Sequence, residues 1–135
     1  MNGDHGERVR VESEGDIVAV RRAVRDAAKD LGFGTTDVTR IVTAASELTR
    51  NITLYAGSGE VRWREIDSRG TRGIEVVFED QGPGIPDVEL ALEEGYTTSG
   101  GLGLGLPGAK RLMDEMEIES EVGSGTRIKV RKWQR

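Results

Sequence analysis

The sequence predicts an α+β fold, a two-layer α/β sandwich with helices on one face of a mixed, mostly antiparallel sheet. Three observations lead there. Strand-like and helix-like segments follow the order β-α-α-β-β-α-β-β, and this lack of strict alternation disfavours a doubly wound parallel sheet. The two long helical segments carry apolar stripes of helical period, the mark of helices covered on one side. The 135 residues suit one domain with a core of its own and show neither an internal repeat nor a long linker. A single domain is expected over residues 1–135, with 1–7 a loose terminus.

Residues 8–12 (RVRVE) alternate and predict an edge strand. Asp16 is expected to cap a helix whose stripe is Ile17, Val20, Val24, Ala27 or Ala28, and Leu31; Gly32 should end it. A second helix begins near Thr35. Its stripe of Val38, Ile41, Ala45, Leu48, Ile52 and Tyr55 steps by three and four, and Gly57 closes it. Strands follow over 61–66 and 73–80, joined as a hairpin by the loop DSRGTR. The turn QGPGIPD and a short helix over 87–94 come next. A glycine-rich loop then leads into a helix from Leu104 or Pro107 to Glu115. Strands over 117–122 and 126–132, joined by GSG, complete the chain.

Composition excludes several function classes. With no cysteine there is neither a disulfide framework nor a thiolate metal site. The single histidine, His5, lies near the terminus, which argues against a histidine triad or a histidine-built metal site. A net charge of −5 opposes non-specific nucleic-acid binding. No apolar run approaches the length of a membrane span, and MNGDHGERVR has no apolar signal core, so a cytoplasmic location is expected.

Three features could carry chemistry. Gly100 to Gly105 contains four glycines immediately before a helix. A backbone without Cβ can approach a ligand closely, and N–H groups ahead of a helix favour anions, so the loop reads either as a phosphate cradle or as a plain surface loop. It lacks the GK[ST] ending of a Walker A loop, and no buried strand runs into its GxGxxG. In EDQGPGIP, Asp80 ends an apolar strand. Its carboxylate can accept a hydrogen bond from an exocyclic amine such as adenine's, and Gly82 and Gly84 would leave room for a flat ring; the other reading is an ordinary acidic turn. Glu47 and Asn51, four apart on the second helix, suit Mg²⁺ and phosphate oxygens, or form a solvated polar pair.

The order of these features is more telling than any one. ExxxN on a helix, DxGxG after a strand, a glycine loop before a helix and GxGT (Gly123–Thr126) at the last strand resemble the Bergerat ATP-binding fold of the GHKL superfamily. That superfamily includes type II topoisomerases, Hsp90-type chaperones, MutL, histidine kinases and anti-sigma-factor serine kinases. The chain has room for the ATP domain alone, which points to the small serine kinases. The segments DIVAVR, AKDLGFGT, ASELTRNI, LYAG, EDQGPGIPD, TTSGGLGLGLPGAKRLMDE and VRKWQR are similar to the stressosome switch-kinase group, from about residue 8 to the end. They are less similar to anti-sigma factors of the RsbW and SpoIIAB type.

The resemblance implies roles residue by residue. Glu47 takes the place of the general base and Asn51 that of the Mg²⁺ ligand. Asp80 matches the adenine reader, Gly84 the close-approach glycine, and Ile85 a wall for the base. Gly100, Gly101, Leu102, Gly103, Leu104, Gly105 and Leu106 match the lid around the phosphates, and Thr126 backs the adenine site. The implied cofactors are ATP and Mg²⁺. The implied activity is serine/threonine phosphorylation of STAS-domain proteins of the RsbS and RsbR type, with the freed kinase activating an RsbU-type phosphatase. The alternatives are an ATP-dependent anti-sigma factor and a partner-binding protein with a vestigial ATP site.

Overall fold

The computed structural model describes residues 7–93 and 105–134. The elements run β1 (Glu7–Val11), α1 (Asp16–Asp30), α2 (Thr35–Asn51), a π-helical turn (Ile52–Ala56), β2 (Gly59–Ser68), β3 (Thr71–Asp80), α3 (Val88–Ala91), α4 (Gly105–Leu112), β4 (Glu115–Glu121) and β5 (Gly125–Trp133). The strands form one sheet in the order β1-β2-β3-β5-β4. Every pairing is antiparallel, so the sheet is not mixed among the described residues.

Alternation on the strands sets the two faces. Ile74, Val76 and Phe78 of β3 meet Val20 and Val24 of α1, Ile41, Ala45 and Leu48 of α2 and Ala109 of α4 in one apolar core. Val61 and Trp63 of β2 and Ile128 and Val130 of β5 extend that face sideways. No helix among the described residues is long and apolar enough to cross a membrane.

Four expectations need correction. Asp16 does not cap α1: Gly15 stands at the N-cap, and Asp16 Oδ2 instead accepts the backbone N–H groups of Glu12 and Ser13 at 2.8 and 3.2 Å. α1 does end at Gly32 as expected: the helix runs to Asp30, Leu31 is its C-cap, and Gly32, with φ +95°, makes the turn. Tyr55 is 44 % exposed rather than in the core stripe. The chain widens into a π turn at Ile52, whose carbonyl accepts the Gly57 N–H, so the stripe rotates and Tyr55 swings outward. The hairpin loop is two residues, not six: Arg69 and Gly70, with φ +54° and +86°, make a tight turn that lets both strands run to its edge. α4 stops at Leu112, and Glu115 already pairs with Arg131 in the sheet.

Lys132 faces the helices and is almost wholly buried. Its ammonium donates to the Leu112 carbonyl at 2.8 Å and lies 3.8 Å from Asp37 and 3.7 Å from Asp114 carboxylate oxygens. It thereby ties the end of α4 to the start of α2.

The opposite sheet face is tiled by charge. Glu115, Glu117, Glu119 and Glu121 of β4 lie opposite residues of β5 that include Arg127, Lys129 and Arg131. At its centre Glu75, 3 % exposed, accepts from Arg64 at 2.9 Å and Arg131 at 2.8 Å. Burial works against its charge, but these two arginines outweigh burial and hold the carboxyl below its ordinary 4.5. In acid the unfolded chain therefore binds the proton more readily than the folded one. The stability Glu75 adds is fully present above the ordinary value and is lost as pH falls through its lowered folded value. Glu75→Gln is expected to lower Tm at neutral pH and to shrink the further drop on acidification, as thermal denaturation at a series of pH values would show.

Candidate nucleotide site

The register aligns one residue of each strand in a single transverse row: Val11, Gly59, Asp80, Thr126 and Ser120. Asp80 continues the helix-facing column of Ile74, Val76 and Phe78; Thr126 continues that of Ile128 and Val130; Ser120 continues that of Met116 and Ile118. The core face therefore turns polar within one row, at one end of the sheet. Apolar alternation would place core residues there, so an acid and two hydroxyls signal a site.

Asp80 is held by its surroundings. Its Oδ1 accepts the Gly82 N–H at 2.9 Å. Burial pushes its carboxyl above the ordinary aspartate value, opposed by the backbone N–H groups of Gly82 and Thr126, with the charge of Glu79 adding to the rise. A partly buried carboxylate disfavoured in this way gains from a further donor, such as an amine.

Glycines surround the end of β3 because nothing larger fits. A Cβ on Gly125 would stand 2.1 Å from the Asp80 carbonyl oxygen, on a backbone with φ +117°. One on Gly84, at φ +83°, would stand 2.4 Å from the Glu121 carbonyl oxygen. Gly82 lies against Ala56, where a Cβ would come within 2.6 Å. In the direction of a Cβ both glycines meet protein: Gly82 seats the turn on the end of the π helix, and Gly84 seats it on β4.

The hydroxyls form a chain behind Asp80. Ser120 Oγ and Thr126 Oγ1 are 2.8 Å apart, and Ser120 Oγ accepts the Ile85 N–H at 2.7 Å. Ile85 is partly buried against the core. Ser120 was missed by the sequence reading, although its place in MEIES, where the apolar column demands a third apolar residue, was a legible signal.

Glu47 and Asn51 come from the last turns of α2, which the π turn then carries to Gly59 and Gly82. Glu47 Oε2 accepts from Arg50 at 2.9 Å, and Oε1 accepts the Gly105 N–H at 3.4 Å. The carboxylate thus reaches from α2 to the first residue of α4. Gly105 has φ +67° with no near obstacle to a Cβ, so its constraint is in the backbone. Leu106, assigned to the lid, is buried in the core and anchors α4. Gly100, Gly101, Leu102, Gly103 and Leu104 lie outside the described residues.

The donor set fits Mg-ATP. Asp80 could supply an acceptor for an adenine amine, and Asn51, at the last residue of α2, could supply a neutral oxygen to the metal. No cluster of three or more acidic or histidine side chains among the described residues could hold a metal by itself. Mg²⁺ usually keeps waters and takes one or two protein oxygens together with substrate phosphates, so such a cage is not required.

Comparison with known proteins agrees with this geometry. The family model of the histidine kinase-like ATPase domain matches residues 10–132. The chain is 55 % identical to the serine/threonine-protein kinase RsbT of Bacillus subtilis, over 94 % of this chain and 96 % of the relative. It is 32 % identical to the anti-sigma F factor of Geobacillus stearothermophilus, over 73 % of this chain and 70 % of that protein. Among solved structures, the RsbU and RsbW domains of a Mycobacterium tuberculosis protein match with a TM-score of 0.61 at 18 % identity, covering 96 % of this chain and 33 % of theirs. The mycobacterial sensor histidine kinase MprB matches with a TM-score of 0.57 at 20 % identity, covering 96 % and 98 %. These two likenesses concern the fold. The site row, the family match and the near-full-length relative together make the chain a member of the histidine kinase-like ATPase family and, within it, of the serine/threonine-protein kinases.

Proposed function

We propose that the chain uses Mg-ATP to phosphorylate a serine or threonine of STAS-domain proteins of the RsbS and RsbR type, and that once released it binds and activates an RsbU-type phosphatase. The observation that carries the reading is the reach of Glu47 from α2 to the N–H of Gly105, where the glycine-rich loop meets α4. A base belongs beside the group that is attacked, and a glycine-rich loop ahead of a helix suits that group's phosphates. The near-full-length likeness to RsbT supports the same reading.

In this reading Asp80 accepts a hydrogen bond from the adenine amine, and Thr126 and Ser120 hold the wall behind it. Asn51 would ligate Mg²⁺, which when bound neutralises phosphate charge. Glu47 accepts the proton of the substrate hydroxyl as its oxygen forms a bond to the γ-phosphorus. The added phosphate brings roughly −1.5 to −2 charges to the substrate and weakens its hold on the acidic kinase.

The test is a reconstitution with purified STAS protein of the RsbS type, an RsbU-type phosphatase and labelled ATP. Label should move to the STAS protein, and the phosphatase should then retain the kinase on an affinity column. The anti-sigma F factor relatives favour a second reading, sequestration of a sigma factor. Capture of a sigma factor with no transfer of label would decide for that second reading.

A further inference from the structure

Glu47 accepts a bond at each of its two oxygens. The bond from Arg50 to Oε2, at 2.9 Å, is a charge-assisted one of normal length, whereas the bond from the Gly105 N–H to Oε1, at 3.4 Å, is long and weak. Glu47 is 14 % exposed and Arg50 is 42 % exposed. Arg50 thus closes over the carboxylate from the solvent side. Anchoring one oxygen fixes the plane of the carboxylate, and with it the direction of the other oxygen, because a glutamate's terminal torsion is otherwise broad.

We infer that Arg50 is a positioning residue for phosphoryl transfer: it fixes Oε2 so that Oε1 is presented toward the Gly105 end of the loop, where the hydroxyl proton must be taken. The inference rests on the reading of Glu47 as the base. In the step, the proton passes from the hydroxyl to Glu47 Oε1. The oxygen–phosphorus bond forms, the bond from phosphorus to the ADP oxygen breaks, and Arg50 keeps its own protons throughout. A second pair on the same helix gives an internal comparison. Arg40 donates to Asp37 at 3.0 Å with the same three-residue spacing, but at the opposite end of α2, beside Lys132. If Arg50 were only a partly exposed structural pair, its loss would be a small matter of stability, like that of Arg40.

The experiment measures single-turnover transfer of labelled phosphate to a purified STAS protein of the RsbS type, together with ATP affinity and Tm. The variants are Arg50→Gln, Arg50→Lys, Arg40→Gln and Glu47→Gln. Arg50→Gln should slow transfer by about 10- to 100-fold, the scale of a base displaced by about an ångström. Its ATP affinity should stay within about twofold and its Tm within about 3 °C. Arg50→Lys should recover part of the rate, and Arg40→Gln should match the wild type. A wild-type rate in Arg50→Gln beside an inactive Glu47→Gln would overturn the inference and leave the base standing. A parallel loss of rate, ATP affinity and Tm in Arg50→Gln would overturn it in favour of a structural role. A wild-type rate in Glu47→Gln would overturn the base and the inference together, and no transfer by the wild type would refute the kinase reading itself.

Discussion

Glu47→Gln is expected to cut phosphoryl transfer by about 10²- to 10⁴-fold, the usual contribution of a positioned general base. ATP affinity should stay within a few-fold. Glutamine keeps the length and an oxygen for the Gly105 N–H, but it cannot take the hydroxyl proton. The carboxylate is partly buried between Arg50 and Gly105, so the variant also removes an ion pair. A modest loss of Tm is therefore compatible with the assignment, whereas retention of normal transfer in a radiolabel assay is not. Calorimetry with ATP on the same preparation separates failed chemistry from failed binding.

Asp80→Asn should lower ATP affinity by roughly 5- to 150-fold, the equivalent of leaving a buried polar group unpaired at about 1–3 kcal/mol. The amide can present a donor where the adenine amine already brings one, and its own N–H₂ would compete for the space beside Gly82. The raised pKa adds a sign. Asp80 takes up a proton at higher pH than an ordinary aspartate, so ATP affinity should begin to fall on acidification above the ordinary value of 3.8. Wild type should also prefer ATP to GTP, because a carbonyl at that position offers Asp80 no hydrogen. Equal affinities by calorimetry would remove Asp80 from the role.

Much of the site was legible because its signals are local. Asp80 announces itself as an acid closing an apolar strand, and Glu47 and Asn51 as a polar pair one turn apart beside Leu48. What escaped was set by partners far along the chain. Ser120 becomes a site residue only through its pairing with Thr126 and its bond from Ile85, 35 residues away. Gly125 matters because β3 and β5 meet there, and pairing register is not written in either strand alone. Tyr55 was misplaced for another reason. Helical periodicity assumes 3.6 residues per turn, and the π turn from Ile52 breaks that assumption without any glycine or proline to announce it. The hairpin was recognised, but its length was underestimated, because DSRGTR looks like a loop throughout although only Arg69 and Gly70 turn.

The buried ammonium of Lys132 has a mechanical consequence. It clamps the far end of α4 through the Leu112 carbonyl, while the near end is held by Leu106 in the core and by the bond from the Gly105 N–H to Glu47. A rod pinned at both ends neither slides nor tilts without straining one of its pins, so α4 and the start of α2 move as one body.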